Sequence, residues 1–181
     1  MPSRPLASRG DALDLIRSLG APPRLVRHVE LVGEAADLLL SAFDREDIAV
    51  DASRVRIGVV LHDVGKIRFP HELDQPGHDH EEAGEALLVA AGVDPSLARA
   101  CVTHARWSQP GLSLEERLVA LADKLWKGKR EAALEELVID QAASVKRCDR
   151  WDLFTALDEA FEAIASGADA RLARSATMLA G

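Results

Sequence analysis

Tyrosine is absent from this 181-residue chain, and aromatic residues of all kinds make up only 4% of it. Cysteine is almost as scarce. Cys101 and Cys148 are the only two. They read better as small buried hydrophobes in a reducing cytoplasm than as a bridge, and the lack of a thiolate set argues against a structural zinc finger. No apolar run is long enough to span a bilayer. The start, Met1-Pro2-Ser3-Arg4-Pro5, carries a basic residue but no apolar h-region, so no signal peptide is expected and the cytoplasm is the expected location. Short β-branched runs and scarce period-two alternation leave little material for a sheet. Basic charge is in deficit: 22 Lys and Arg against 30 Asp and Glu give a net charge of -8, which speaks against binding polymeric nucleic acid. A small phosphorylated substrate stays compatible, because a metal can supply local positive charge.

What is present is alanine, leucine and helical periodicity. With 48% hydrophobic residues, the chain reads as one all-α domain, a single helical bundle with extra C-terminal helices. It divides into an N-terminal helical extension (1–20), a core (21–130) and C-terminal helices packing on that core (131–181). Residues 9 to 19 form a short helix closed by Gly20. Ala21-Pro22-Pro23 then opens a long helix, with proline suited to its first turn. Its apolar stripe is Leu25, His28, Val32, Ala35, Ala36 and Leu39, so a histidine interrupts a core face.

Asp51 suits the N-cap of the next helix. That helix carries Val59-Val60-Leu61-His62-Asp63-Val64-Gly65-Lys66, in which Val55, Val59 and His62 share a face and Gly65 is expected to end the helix. Adjacent His and Asp on a helix point about 100° apart, yet both can reach one ion, or two if the carboxylate bridges. Lys66 follows, on backbone expected to be mobile, where its ammonium could reach a phosphate oxygen. The stretch from Ile67 to Gly77 is a loop of the kind that shapes pockets. His71 and His78, in or beside it, read as solvated polar residues. The next helix runs from about His80 to Ala91, with His80 on the core side and Gly84 one turn on, allowing close approach. Asp94-Pro95 starts another that ends near Trp107, with Leu97, Cys101 and His104 on one face. Ser113-Leu114-Glu115-Glu116 is a capping box, and the helix it opens carries Asp123 and Trp126 at the edge of its apolar face. Lys124, Lys127, Lys129 and Arg130 form either a solvated basic face or a phosphate-binding entrance. Trp151, Phe154, Leu157 and Phe161 make an apolar stripe for the core or a partner, and Gly167 precedes a last helix around Ala168 to Leu179.

Six histidines occur, and four of them (His28, His62, His80, His104) fall on inward faces together with Asp63 and Asp123. Burying such a set without a partner costs several kcal/mol or more, a cost that a divalent cation removes. The ordered pattern His…His-Asp…His…His…Asp resembles the HD-domain metal-dependent phosphohydrolase superfamily, from about Pro22 to Arg130. The matching pieces are Arg27-His28-Val29-Glu30, His62-Asp63-Val64-Gly65-Lys66, His80-Glu81-Glu82-Ala83-Gly84, Thr103-His104 and Leu121-Ala122-Asp123-Lys124. The two inner histidines look like the two-metal subset, which includes bacterial diadenosine tetraphosphate hydrolases of the YqeK type and the HD-GYP phosphodiesterases. The chain departs from HD-GYP: Ala105-Arg106-Trp107 follows His104, and there is no Gly-Tyr-Pro.

The resemblance implies one divalent ion (Fe, Mn, Zn, Co, Ni or Mg) held by His28, His62, Asp63 and Asp123. It implies a second held by His80 and His104, with Asp63 bridging. Asp63 and Lys66 are then the expected catalytic residues of a hydrolase of a phosphate ester or anhydride, in all expectation a nucleotide. Lys66, Lys124 and Arg106 would meet the phosphate, and Trp107 the base. A two-iron oxygenase cleaving a C–P or C–C bond and a non-catalytic ligand-binding module are the alternatives. Lys66 favours the hydrolase. The acidic surface and apolar C-terminal stripe permit a homodimer without demanding one.

Overall fold

The computed structural model describes residues 5–176, and every regular element among them is helical, with no strand. The order is α1 (Arg9–Ser18), α2 (Pro23–Arg45), α3 (Ala52–Leu61), α4 (Asp79–Ala90), α5 (Pro95–Ala98), α6 (Ala100–Thr103), α7 (Leu114–Leu125), α8 (Ala132–Lys146), α9 (Trp151–Ser166) and α10 (Ala168–Ala176). Two 3₁₀ turns, Val64–Ile67 and Pro70–Leu73, join α3 to α4. No helix of the described residues is long and apolar enough to cross a membrane.

The central element is α3. Its second half, Ile57–Leu61, is buried all round, whereas Ser53, Arg54 and Arg56 keep its first half at the surface. It separates two packed clusters. On one side Val55 and Val59 meet α2, α7, α8 and α9 through Leu39, Phe43, Leu118, Leu121, Val138 and Phe161. On the other, Ile57, Val60, Leu61 and Val64 meet α1, the start of α2, and α4 through Leu15, Ile16, Val29 and Leu88. Thus α1 packs against α3 rather than against the C-terminal helices, and α8 and α9 contribute side chains to the same core as α2 and α7.

Local chemistry sets the boundaries. The side chain of Ser8 caps α1 in a full capping box with Asp11, and Gly20 turns the chain at φ 90°. Ser113 and Glu116 form the expected box at α7, an arrangement worth about 1 kcal/mol. The helix expected from Asp94 to Trp107 is instead two single turns, α5 and α6, broken at Arg99, and the second ends at His104. The loop between α6 and α7 is held by Arg117, whose buried guanidinium donates to the carbonyls of Trp107, Gln109 and Leu112. Arg171 does the same where α7 and α9 end, donating to the carbonyls of Trp126 and Leu125 and to that of Ile164.

Two expectations about helices are corrected. Gly65 does not end α3. The helix stops at Leu61, with His62 as its C-cap, and Gly65 lies inside the 3₁₀ turn without a left-handed φ. Its role is room: a Cβ there would lie 1.9 Å from the carbonyl oxygen of His80 and 2.8 Å from the amide nitrogen of Gly84. Gly84 faces the same crossing, as its own position suggested. The C-terminal stripe is also rotated. Leu153, Leu157, Phe161 and Ile164 are the buried face of α9, whereas Trp151 is 67% exposed. Part of the last predicted helix, to Leu179, lies outside the described residues.

Asp37 on α2 ties the bundle's first three helices together, accepting from Arg9 of α1 at 2.7 Å and Arg56 of α3 at 2.9 Å. Burial pushes its carboxyl up, but the two guanidiniums outweigh this and hold it below the ordinary range. A carboxylate depressed in the folded state stabilises above its unfolded pKa of about 4 and stops doing so as pH falls through the folded value. The Arg9 and Asp37 side chains are 30% and 40% exposed, so screening limits the effect to about 1 kcal/mol or less. Urea unfolding of Asp37→Asn should therefore show a small deficit that is constant from about pH 8 to 5 and shrinks toward about pH 3; a deficit that grew on acidification would contradict the pairing. Gly65→Ala is expected to cost about 2–3 kcal/mol or more, because the added carbon meets backbone that cannot move aside; a thermal midpoint like wild type would refute the crossing.

Candidate metal centre

The six side chains come from five places in the chain and meet at the end of α3. His28 is on α2, His62 is the C-cap of α3, and Asp63 heads the 3₁₀ turn. His80 is in the first turn of α4, His104 is the C-cap of α6, and Asp123 is in the last turn of α7. All but His28 are at most 7% exposed. The backbone leaves the helix at Asp63 (φ -109°, ψ 11°), so its carboxylate is not held at the angular offset a continuous helix would impose.

That carboxylate is divided. Its Oδ2 lies 3.0 Å from Nε2 of His28 and 3.5 Å from Nε2 of His62. Its Oδ1 lies 3.1 Å from Nε2 of His80 and 3.7 Å from Nε2 of His104. Asp123 Oδ1 closes the first group, 3.6 Å from His62 and 4.0 Å from His28. One donor atom each of His28, His62 and Asp123, and of His62, Asp63 and His104, lie within 4.8 Å of one another. Imidazole rings pack around the centre: His62 meets His104 edge-on at 4.9 Å, and Trp126 closes over His28 at 5.0 Å.

The outer nitrogens determine what the inner ones can do. Nδ1 of His62 lies 2.7 Å from the carbonyl of Val59, and Nδ1 of His104 lies 3.1 Å from that of Ala100. A carbonyl oxygen only accepts, so each Nδ1 carries a proton and Nε2 is the nitrogen that each ring turns inward. His80 makes the same use of Glu72, whose carboxylate accepts from Nδ1. The Nε2 atoms of His28, His62 and His80 are buried and make no hydrogen bond. Orphaned buried nitrogens of this kind are costly, and here they converge on two carboxylates. Burial, reinforced by the nearby His62, pushes His104 down to about 4, which keeps its ring neutral near pH 7. Burial also pushes Asp63 up, but the imidazoles of His62, His28 and His80 more than offset it and hold the carboxyl well below its usual range. His62 is raised on balance, because Asp63 and Asp123 outweigh the effect of burial. Four inward Nε2 atoms beside two ionised carboxylates form a donor set that fits a divalent metal.

The residues singled out for substrate divide into two groups. Lys66 is not on loose backbone. It sits in the 3₁₀ turn and its ammonium is 2.6 Å from Asp63 Oδ2, with the side chain 16% exposed. Lys124 and Lys127 each lie 3.5 Å from Asp123 Oδ2. Three ammoniums thus border the carboxylates. Arg106 turns instead to α4, donating to Glu82 at 3.0 Å and lying 3.7 Å from Glu81. Trp107 packs on the larger apolar cluster. Arg130 is fully engaged with Glu135, Asp158 and Glu162, which makes it a brace between α8 and α9 rather than part of an entrance. His71 and His78 are solvated, as expected. Sequence reasoning missed Glu72 and Glu81, both buried acids on or beside the loop, because neither breaks an apolar stripe. A cavity of about 620 Å³ lies elsewhere, lined by Arg17, Val26, Arg27, Glu30 and Arg174 among others, and none of the six converging side chains lines it.

A helical bundle with histidines and aspartates gathered at its centre defines a class of metal-binding domain. Residues 25–126 match the HD domain family, more than half of the chain, and the chain belongs to that family. A protein of Methanocaldococcus jannaschii described only as uncharacterized is 29% identical over 142 residues, covering 70% of this chain and 80% of that protein. No solved structure matches.

An ion that binds only the folded chain, at 100 times its Kd, adds about 2.7 kcal/mol of stability, or roughly 5–10 °C in midpoint for a domain of this size. Added Mn²⁺ or Co²⁺ should raise the melting temperature by that order, a chelator should reverse it, and His62→Ala should abolish it. A wild-type midpoint indifferent to every divalent ion would argue against the centre.

Proposed function

We propose that the protein is a two-metal phosphohydrolase that adds water across a phosphate ester or anhydride of a small substrate, a nucleotide by preference. The observation that supports it is the divided Asp63 carboxylate, with one oxygen toward His28 and His62 and the other toward His80 and His104. Only a carboxylate placed between two ligand groups is oriented to bridge them. Held there, two divalent ions would supply a more acidic water and a clamp on phosphoryl oxygens.

The chain's own residues do the remainder. His28, His62 and Asp123 complete the first ligand group, and His80 with His104 the second. Lys66, lying beside Asp63, is placed to neutralise a phosphoryl oxygen that comes up to the centre. Lys124 and Lys127 add charge on the Asp123 side. Trp126 packs edge-on against His28 and helps fix that ring. The three ammoniums favour an anionic substrate over the uncharged carbon substrate of a C–C-cleaving two-iron oxygenase. The inner pair His80 and His104, without the Gly-Tyr-Pro of the cyclic-dinucleotide enzymes, favours a compact relative of the diadenosine tetraphosphate hydrolases. The reaction needs only water and a substrate small enough to enter.

Purified protein should carry divalent metal and release phosphate or a nucleoside phosphate from one member of a nucleotide panel. Asp63→Ala should lose both metal and turnover; a fully active Asp63→Ala enzyme would sink the assignment. Lys66→Ala should keep its metal and lose about 100-fold in kcat/KM, whereas unchanged kinetics would remove Lys66 from the reaction. Oxygen consumption with a mixed-valence iron signal, and no phosphate release, would instead identify an oxygenase.

A further inference from the structure

We propose that Glu72 is the positioning residue that holds His80 ready for the second ion, an inference that rests on the two-metal reading above. Glu72 comes from the 3₁₀ turn Pro70–Leu73, in the stretch that joins the His-Asp pair to α4, and it is only 6% exposed. Its carboxylate faces donors alone. Oε1 accepts from the amide of Asp79 at 3.2 Å, and Oε2 accepts from the amide of His80 at 3.3 Å and from His80 Nδ1. His78, which precedes α4, supplies no side-chain cap, so Glu72 reaches across to satisfy the first-turn amides that a local cap would take. The same carboxylate thereby anchors both the backbone and the ring of one residue. With Nδ1 committed as a donor, Nε2 is the nitrogen His80 turns toward Asp63 Oδ1, and the one left to take an ion.

A neutral isostere cannot replace this group. Glutamine has one acceptor oxygen and one NH₂, and both carboxylate oxygens of Glu72 face N–H groups. Either rotamer points a donor at a donor. The loop has also been shaped to admit the carboxylate: a Cβ on Gly77 would lie 2.4 Å from the carboxyl carbon of Glu72. Gly77→Ala therefore displaces the carboxylate without removing it, which supplies a second, independent variant.

The test is Mn²⁺ binding to the full chain by calorimetry, with elemental analysis, for wild type, Glu72→Gln and Gly77→Ala. Wild type is expected to take two ions. Both variants should keep the first with unchanged affinity and bind the second about 10- to 100-fold more weakly. Two ions bound with wild-type affinity in both variants, whatever their melting temperatures, would reduce Glu72 to a helix cap and overturn the inference alone. Wild type taking fewer than two ions would overturn the two-metal reading itself. Should Glu72→Gln fail to fold, nitrogen-15 NMR of metal-free wild type at alkaline pH decides: a proton on Nδ1 of His80 supports the inference, and one on Nε2 overturns it.

Discussion

Everything else in the molecule depends on one carboxylate being shared. Asp63 faces four imidazoles, two per oxygen, in a place that water hardly reaches. A buried negative charge is expensive, and so is a group of buried imidazole nitrogens without hydrogen bonds. Each relieves part of the other's cost, but hydrogen bonds do not satisfy both: Nδ1 of His62, His80 and His104 each has its acceptor outside the centre, and the Nε2 atoms of His28, His62 and His80 make no hydrogen bond. The arrangement is electrostatically unfinished, and that mismatch is what suits it to a cation.

The apolar architecture exists around this point in a direct sense. Because the second half of α3 is buried on all sides, it can run between two cores and deliver its C-cap, His62, into the seam where they meet. α2 also crosses both clusters and brings His28 from the other wall. α7 arrives from the larger cluster with Asp123, its end held by Arg171. The smaller cluster's side delivers His80 on α4 and His104 at the end of the single turn α6, and α4 can sit close to Asp63 because it crosses the 3₁₀ turn at two glycines. Outer-layer acceptors (Val59, Ala100 and Glu72) then fix the ring orientations.

Much of this could be read without coordinates, for a physical reason. A histidine or aspartate on an apolar helical face is a local anomaly, and periodicity exposes it. His28, His62, His80, His104 and Asp123 all revealed themselves in that way, and the structure brings them together. The all-helical class and the caps at Ser113 and Asp51 are likewise local. What stayed hidden was decided across space. Gly65 looked like a helix terminator because its actual neighbour, the His80 carbonyl, lies 15 residues away in sequence. Lys66 looked loose because its partner is a carboxylate whose direction depends on where α3 stops. Trp151 fitted a stripe, yet α9 turns Leu153 inward in its place. Glu72 sits in a loop rich in polar residues, where nothing in the pattern separates a buried acid from a solvated one. The break at Arg99 leaves no mark in composition at all.

The crossing of the two glycines has a consequence for chain length. Gly65 follows Asp63 by two positions and Gly84 follows His80 by four, so each is geared to the ligand beside it. Sliding α4 by a single residue would bring Ala83 or Glu85 into a gap with no space for a side chain. Insertions or deletions inside either short interval are therefore forbidden, whereas the exposed span from Asp74 to Pro76 can lengthen without moving the register. Variation in this domain is channelled into its connectors, and the intervals that set the centre behave as fixed rulers.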